Sequence, residues 1–381
     1  MVLKRMRLAF SLYKYFPYGG LARDFVRIAK LCIEKGHSVD VYVMEWQDDL
    51  ISEFNVHILS CKGWSNYAKV GDFHKRLNGK LTAENYDAVI SFNKIPNVDV
   101  YYAADPCYID RFKKKSLLQI LNPRFRFYAA VEEAVFGNSS KTLCLMISDM
   151  QTALFKRHYG ITDDRLVMLP PGIDSDRRKP KNADEIRKKF RVEHQFDEQN
   201  LLILMVGTGF KTKGVDRAVN ALASLPDALR DKAHLIVVGE GDFASYEHSA
   251  VEKGVGNQIH FMGGRSDVPD FLLSCDMLLH PARKDNTGTV ILEAMVAGLP
   301  MLVTSVCGYA KHVLKSGAGE VLNASFSEDE LNEKLQIMLF SDKKEWISNA
   351  LKYAEDEDLY SMPEKAVEAI ERVLESRQNA D

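Results

Sequence analysis

The chain has 381 residues, too many for one small domain and enough for two or three. Hydrophobic residues at 46% and charged residues at 27%, with only 23 Gly and 12 Pro, exclude a disordered, collagenous or low-complexity protein. The net charge of −3 divides unevenly: residues 1–172 carry an excess of +6 (24 Lys and Arg, 18 Asp and Glu), and the remainder carries −9 (26 against 35). A basic half can mean an anionic partner such as a nucleic acid, a membrane surface or an acidic substrate, although a modest excess is more often plain solvation.

Six scattered cysteines with no CxxC pair read as buried free thiols in a reducing cytoplasm. No run approaches 18 apolar residues, and the apolar stretch after Lys4, Arg5 and Arg7 is too short for a signal sequence. The expectation is a protein that neither spans a membrane nor is secreted by that route.

In chain order, short β-branched and aromatic runs alternate with amphipathic stretches of helical length, the grammar of βαβ units. In the first half, strands are expected at 7–13, 38–44, 55–59, 88–91, 98–103, 143–147 and 166–169. Helices are expected between them, including 21–36, which stops at Gly36, and 129–135. A Pro170-Pro171-Gly172 turn and a charge-rich stretch at 174–200 separate this half from a second series. That series has strands at 201–206, 235–238, 259–262, 277–280 and 301–304, with helices at 214–224, 268–274 and 289–297. The reading is α/β: two doubly wound domains facing across a cleft, residues 1–172 and 173–355, with residues 356–381, apolar at Val367, Ile370 and Val373, crossing back to the first.

Ligands of such domains bind in loops that follow strands. The first candidate loop joins strand 7–13 to its helix, where Gly19 and Gly20 let the backbone approach a ligand and the helix start suits a phosphate. Arg23 and Asp24 can meet a phosphate and a sugar hydroxyl; a plain βα turn is the bland alternative. The string matches neither GxGxxG nor GxxxxGK[ST], which weakens hydride transfer and ATP hydrolysis. The second loop, 206–214, carries Gly207, Gly209, Lys211 and Lys213, and Lys213 is the preferred ligand of a diphosphate.

The third string, 281–300, is the most specific. It places Asp285 in a loop, Gly288 before a helix, Thr289 and Val290 with free N–H groups at the helix start, and Glu293 one turn later. Such a helix start can take a phosphate, Glu293 can hold vicinal ribose hydroxyls, and Asp285 can reach the hydroxyls of an attached sugar. Arg265, after strand 259–262, is grouped with the donor-binding residues. The ten histidines show no metal-ligand spacing, and no Ser/His/Asp arrangement supports a hydrolase.

The pair Asp285 and Glu293 resembles the E-x7-E hallmark of glycosyltransferase family 4, retaining enzymes of the GT-B fold. The strings 12–25, 92–94, 98–105, 169–173, 213–217, 306–310 and 358–366 extend the resemblance over nearly the whole chain, toward those members that glucosylate the heptose of the lipopolysaccharide inner core. The resemblance implies transfer of glucose from UDP-glucose with retention, the donor held by the second domain and the acceptor by the first. It implies no metal cofactor, because Lys213 and helix N-termini take the place of Mg²⁺ in stabilising the leaving UDP. Asp24 and Asp105 become candidates for the acceptor hydroxyl or the reacting sugar. Alternatives are another donor, UDP-N-acetylglucosamine or UDP-galactose, or a sugar-nucleotide binder without turnover. The sequence departs from the pattern at Asp285, one methylene shorter than Glu, and at Thr208, where many members carry Arg. It departs again at 307–312, where Lys311 and His312 follow Ala310.

Arg111, Lys113, Lys114, Lys115, Arg124 and Arg126 interleave with aromatic residues and leucines, the composition of an interfacial segment on anionic headgroups. A buried helix edged by solvated cations is the simpler alternative, and nucleic acid is disfavoured because no recognition-helix motif is present. The expected location is the inner face of the cytoplasmic membrane, peripherally bound.

Overall fold

The computed structural model describes residues 5–17, 19–112 and 117–378. The chain forms two compact units, Met1–Gly172 with Ser361–Asp381, and Ile173–Tyr360. In the first, β1 (Arg7–Ser11), β2 (Lys14–Tyr15), β3 (Ser38–Val43), β4 (Glu45–Trp46), β5 (Asn55–Ile58), β6 (Ala88–Ser91), β7 (Val100–Ala103), β8 (Leu143–Met146) and β9 (Leu166–Met168) alternate with α1 (Gly20–Glu34), α2 (Asn66–Ala83), α3 (Leu117–Leu121), α4 (Pro123–Phe136) and α5 (Asp149–Tyr159). Seven strands make one parallel sheet in the order β5-β3-β1-β6-β7-β8-β9, while β2 and β4 pair separately. Strand β1 is interior, paired on both sides, with Leu8 opposite both Val39 and Ala88. Its period of two sends Leu8 and Phe10 into one buried cluster with Phe25 and Ile28 of α1, and Ala9 into another with Phe73 and Leu77 of α2.

The C-terminal helix Met362–Gln378 completes the first cluster with Val367, Ile370 and Leu374, and Lys35 pairs with Glu371 at 2.7 Å. Residues 361–381 bring three cations and five anions to this unit, so its excess falls from +6 to +4 and the other unit stands at −7. Residues 356–360, assigned by sequence to the returning segment, stay with the second unit. Leu359 is buried in its core and accepts a hydrogen bond from the Ile173 N–H at 2.8 Å.

The second unit contains β10 (Leu201–Val206), β11 (Ala233–Val238), β12 (Ile259–Gly263), β13 (Met277–His280), β14 (Met301–Thr304) and β15 (Gly319–Leu322). They form a parallel sheet in the order β12-β11-β10-β13-β14-β15. The chain winds outward from β10 on one side, then returns to β13 on the other, so the loops after β10 and β13 become neighbours at the carboxyl edge.

Two sequence expectations change. The charge-rich stretch 174–200 contains a packed helix, Ala183–Glu193, because Phe190 enters the core while Arg187 and Arg191 both bind Asp276, at 2.6 and 2.9 Å. The helix expected at 129–135 begins earlier, at Pro123, where the Asn122 side chain accepts from the Arg124 N–H. The basic residues Arg124 and Arg126 therefore lie in its first turn.

Candidate active site

In the second unit, Lys213 Nζ lies 2.5 Å from Oδ2 of Asp285, although 72 residues separate them. Two local features bring them together. Lys213 ends a single helical turn, Phe210–Lys213, and is followed by Gly214 at φ +81°, where a Cβ would come within 2.2 Å of the Pro281 carbonyl oxygen. The backbone of one loop thus rests on the other. The contact is fastened by the Arg283 N–H donating to Thr212 O at 2.8 Å and by the Arg283 guanidinium gripping Asp216 at 2.7 and 2.8 Å.

Asp285 is also held from behind. His280, the fully buried last residue of β13, places Nε2 2.9 Å from the same Oδ2. Asp285 pairs as an isolated parallel bridge with Cys307, and the Tyr309 N–H donates to Thr287 O at 2.7 Å, zipping the loops after β13 and β14 together. Burial alone would raise the carboxyl pKa, but the His280 hydrogen bond and the Lys213 charge hold it well below the usual carboxylate range. Asp285 is therefore an anion at neutral pH.

Gly288, at φ +77°, turns the chain into the helix Thr289–Val296, whose first residues Thr289 and Val290 have no acceptor within the helix for their N–H groups. Glu293 lies on this helix, 6% exposed. Gly207 and Gly209 shape the loop before Lys213, both at positive φ. Two sequence candidates are not brought to the Lys213–Asp285 pair. Lys211 is 74% exposed and pairs with Asp216 at 3.1 Å, and Arg265 is engaged by Asp267 through two contacts of 2.8 and 2.5 Å.

Among the described residues, His280, Asp285 and Cys307 offer ligand-type atoms within 4.8 Å of one another. Lys213 occupies the carboxylate oxygen, and burial, with Asp285 beside it, pushes the Cys307 thiol up to about 12, so it stays protonated.

The first unit gathers a second group at the carboxyl edge of its sheet. Gly19 caps α1 and Gly20 begins it; a Cβ at Gly19 would strike the Phe16 ring at 2.6 Å. Arg23 is in the first turn of α1, and Oδ2 of Asp24 accepts from Tyr102 Oη at 2.8 Å. Asp105, after β7, has Asn93 Nδ2 and Tyr101 Oη each 3.4 Å from its Oδ2. Tyr13 donates to Lys94 O at 2.9 Å and meets His74 Nε2 at 2.8 Å.

Sequence reasoning missed the residue that anchors this group. Glu132 of α4 is completely buried and paired with Lys94, whose Nζ also donates to Pro106 O at 2.8 Å. Glu132 further accepts from the Tyr108 N–H at 2.8 Å and from Tyr159 Oη at 2.6 Å. The loop after Asp105 is thereby tied to α4 and α5. The signal was present: Glu132 lies on the apolar Phe125–Phe136 stripe, where an uncompensated acid is costly.

Of the basic segment, Arg111, Arg124 and Arg126 are exposed, and Lys113, Lys114 and Lys115 lie outside the described residues. No helix among the described residues is long and apolar enough to cross a membrane.

Two family models match in succession: Glycosyltransferase Family 4 over residues 18–177 and Glycosyl transferases group 1 over residues 186–353. The chain is 41% identical over 368 residues to the lipopolysaccharide glucosyltransferase WaaG of Escherichia coli K12, covering 96% of this chain and 98% of that protein. A crystal structure of WaaG, described as a glycosyltransferase involved in lipopolysaccharide biosynthesis, superposes with a TM-score of 0.91 over 95% of this chain and 99% of that one. Anabaena HepE in complex with UDP and glucose, at 19% identity and a TM-score of 0.75 over 97% of this chain and all of that one, shares the fold.

Proposed function

The chain belongs to the family 4 glycosyltransferases of the GT-B fold, and on that premise we propose that it transfers glucose from UDP-glucose, with retention, to a heptose of the lipopolysaccharide inner core. The observation that carries this reading is the Lys213–Asp285 pair at the carboxyl edge of the second sheet, eight residues before Glu293. In the free enzyme the ammonium neutralises Asp285. With the donor bound, the same ammonium turns to the diphosphate and stabilises the charge that grows on the leaving UDP, joined by the N–H groups of Thr289 and Val290. Asp285, freed of its counter-ion, accepts hydrogen bonds from the sugar hydroxyls, and Glu293 accepts from the ribose. In this reading Lys213 and the helix start do the work of a metal ion. The departing phosphate oxygen takes the acceptor proton, with Asp24 and Asp105 orienting the acceptor.

The acceptor is lipid-linked, and the exposed Arg111, Arg124 and Arg126 suit an enzyme resting on the anionic inner face of the cytoplasmic membrane. The test is incubation with heptosylated core acceptor and a panel of UDP-sugars, followed by mass analysis of the product. Addition of one hexose from UDP-glucose alone is expected. Transfer only from UDP-N-acetylglucosamine or UDP-galactose would reassign the donor, and no transfer from any would leave a sugar-nucleotide binder.

A further inference from the structure

Trp64 is fully solvent-exposed, at 108% of its reference area. A tryptophan so placed is unusual, since its ring normally finds apolar cover. The turn that presents it is closely built: a Cβ at Gly63 would stand 2.6 Å from the Lys69 nitrogen, and Ser65 caps α2 by accepting from the Ala68 N–H. Trp64 therefore precedes the cap, where an apolar side chain commonly folds back onto the residue four positions into the helix. Here that residue is the exposed Lys69, and the indole stays in solvent.

The next turn of the same segment abuts the basic helix. Tyr67 and Phe127 of α4 have ring centroids 6.0 Å apart, and a Cβ at Gly71 would meet the Phe127 ring at 3.3 Å. Arg124 lies three positions before Phe127, on the α4 face that α2 touches. Exposed Ile120 and Leu121 of α3 precede that helix. The start of α2, with the indole and the exposed cations Lys62 and Lys69 beside it, thus packs against α4, whose exposed Arg124 shares the Phe127 face, although some 60 residues of sequence separate the two. Asp72, the acid of this turn, is occupied by Arg76 Nε at 2.7 Å and by the Lys62 N–H at 2.8 Å.

We propose that Trp64 is an interfacial anchor that inserts at the headgroup boundary of an anionic lipid bilayer, beside the cations of α4. The inference rests on the membrane association proposed above. Cations flanking an amphipathic indole match an anionic surface over an apolar interior, whereas a second copy of this surface would oppose like charges.

The protein has three tryptophans; Trp46 stacks on Tyr15 at 3.9 Å and Trp346 packs against the second unit's core, so the emission lost in Trp64→Phe reports Trp64. With phosphatidylglycerol vesicles this component should shift to shorter wavelength and be quenched by acyl-brominated lipid. Trp64→Ser should weaken partitioning about tenfold while leaving transfer to a detergent-dispersed acceptor unchanged. Full-chain binding to these vesicles without quenching of Trp64, and with undiminished partitioning of Trp64→Ser, would overturn the anchor and leave the membrane reading standing. Failure of the unmodified protein to bind overturns both. Self-association in sedimentation that Trp64→Ser abolishes would assign the indole to a dimer contact instead.

Discussion

Lys213 and Asp285, on loops from two strands that are sheet neighbours but not sequence neighbours, meet at 2.5 Å with only 21% and 11% of their side chains exposed. A pair this sheltered is held in register by the backbone around it. Lys213→Ala should lower kcat/KM by about 10²- to 10³-fold, because a preorganised charge aimed at the leaving group is lost. Calorimetry with UDP and turnover with acceptor check this together. Loss of UDP affinity in a protein that never showed turnover would point to a binder.

His280 supports Asp285 from the core without reaching solvent. His280→Ala should raise the donor KM by roughly tenfold or more, since a charge-assisted hydrogen bond is worth about 1.5–3 kcal/mol. His280→Gln, which can donate from its side-chain amide, should recover part of the loss. A cavity effect alone would lower the melting temperature and leave the KM unrescued.

The buried Lys94–Glu132 pair secures the loop that follows Asp105. Glu132→Gln or Lys94→Met should destabilise the protein by about 3–5 kcal/mol, the usual cost of leaving one partner of a buried pair. The double variant should lose less than the two singles summed. Urea unfolding of the four proteins measures this coupling.

Burial lowers the His74 imidazole from 6.5 to about 4. The unfolded chain takes up a proton near pH 6.5 that the native state resists. Stability from this residue is therefore intact above that pH, falls between about pH 6.5 and pH 4, and levels off below, a total of about 3 kcal/mol. Urea midpoints across this range should show the decline, and His74→Gln should flatten it.

At Gly214, φ +81° and the contact with the Pro281 carbonyl combine. Gly214→Ala should part the Lys213 and Asp285 loops, lowering transfer more than it lowers the melting temperature. Activity and thermal unfolding measured on one sample distinguish the two.

Much of this was legible without coordinates, because it is short-range. Alternation along residues 201–206, the glycine-bearing turns and the eight-residue spacing from Asp285 to Glu293 are each contained within one strand, loop or helix, and local sequence determines them. Those patterns sufficed for the α/β class and for the loops and helix that carry Lys213, Asp285 and Glu293. They were weaker where polar residues dominate, as in Ala183–Glu193, whose arginines are drawn inward by Asp276. Periodicity does not encode which strand lies beside which. The order β10-β13 brings Lys213 to Asp285, the packing of α4 on β6 and β7 loops buries Glu132 against Lys94, and α2 against α4 sets Tyr67, three residues after Trp64, on Phe127 of the basic helix. Each is a long-range contact whose loop-closure entropy is overcome only when the whole core forms, and so only the tertiary structure decided them.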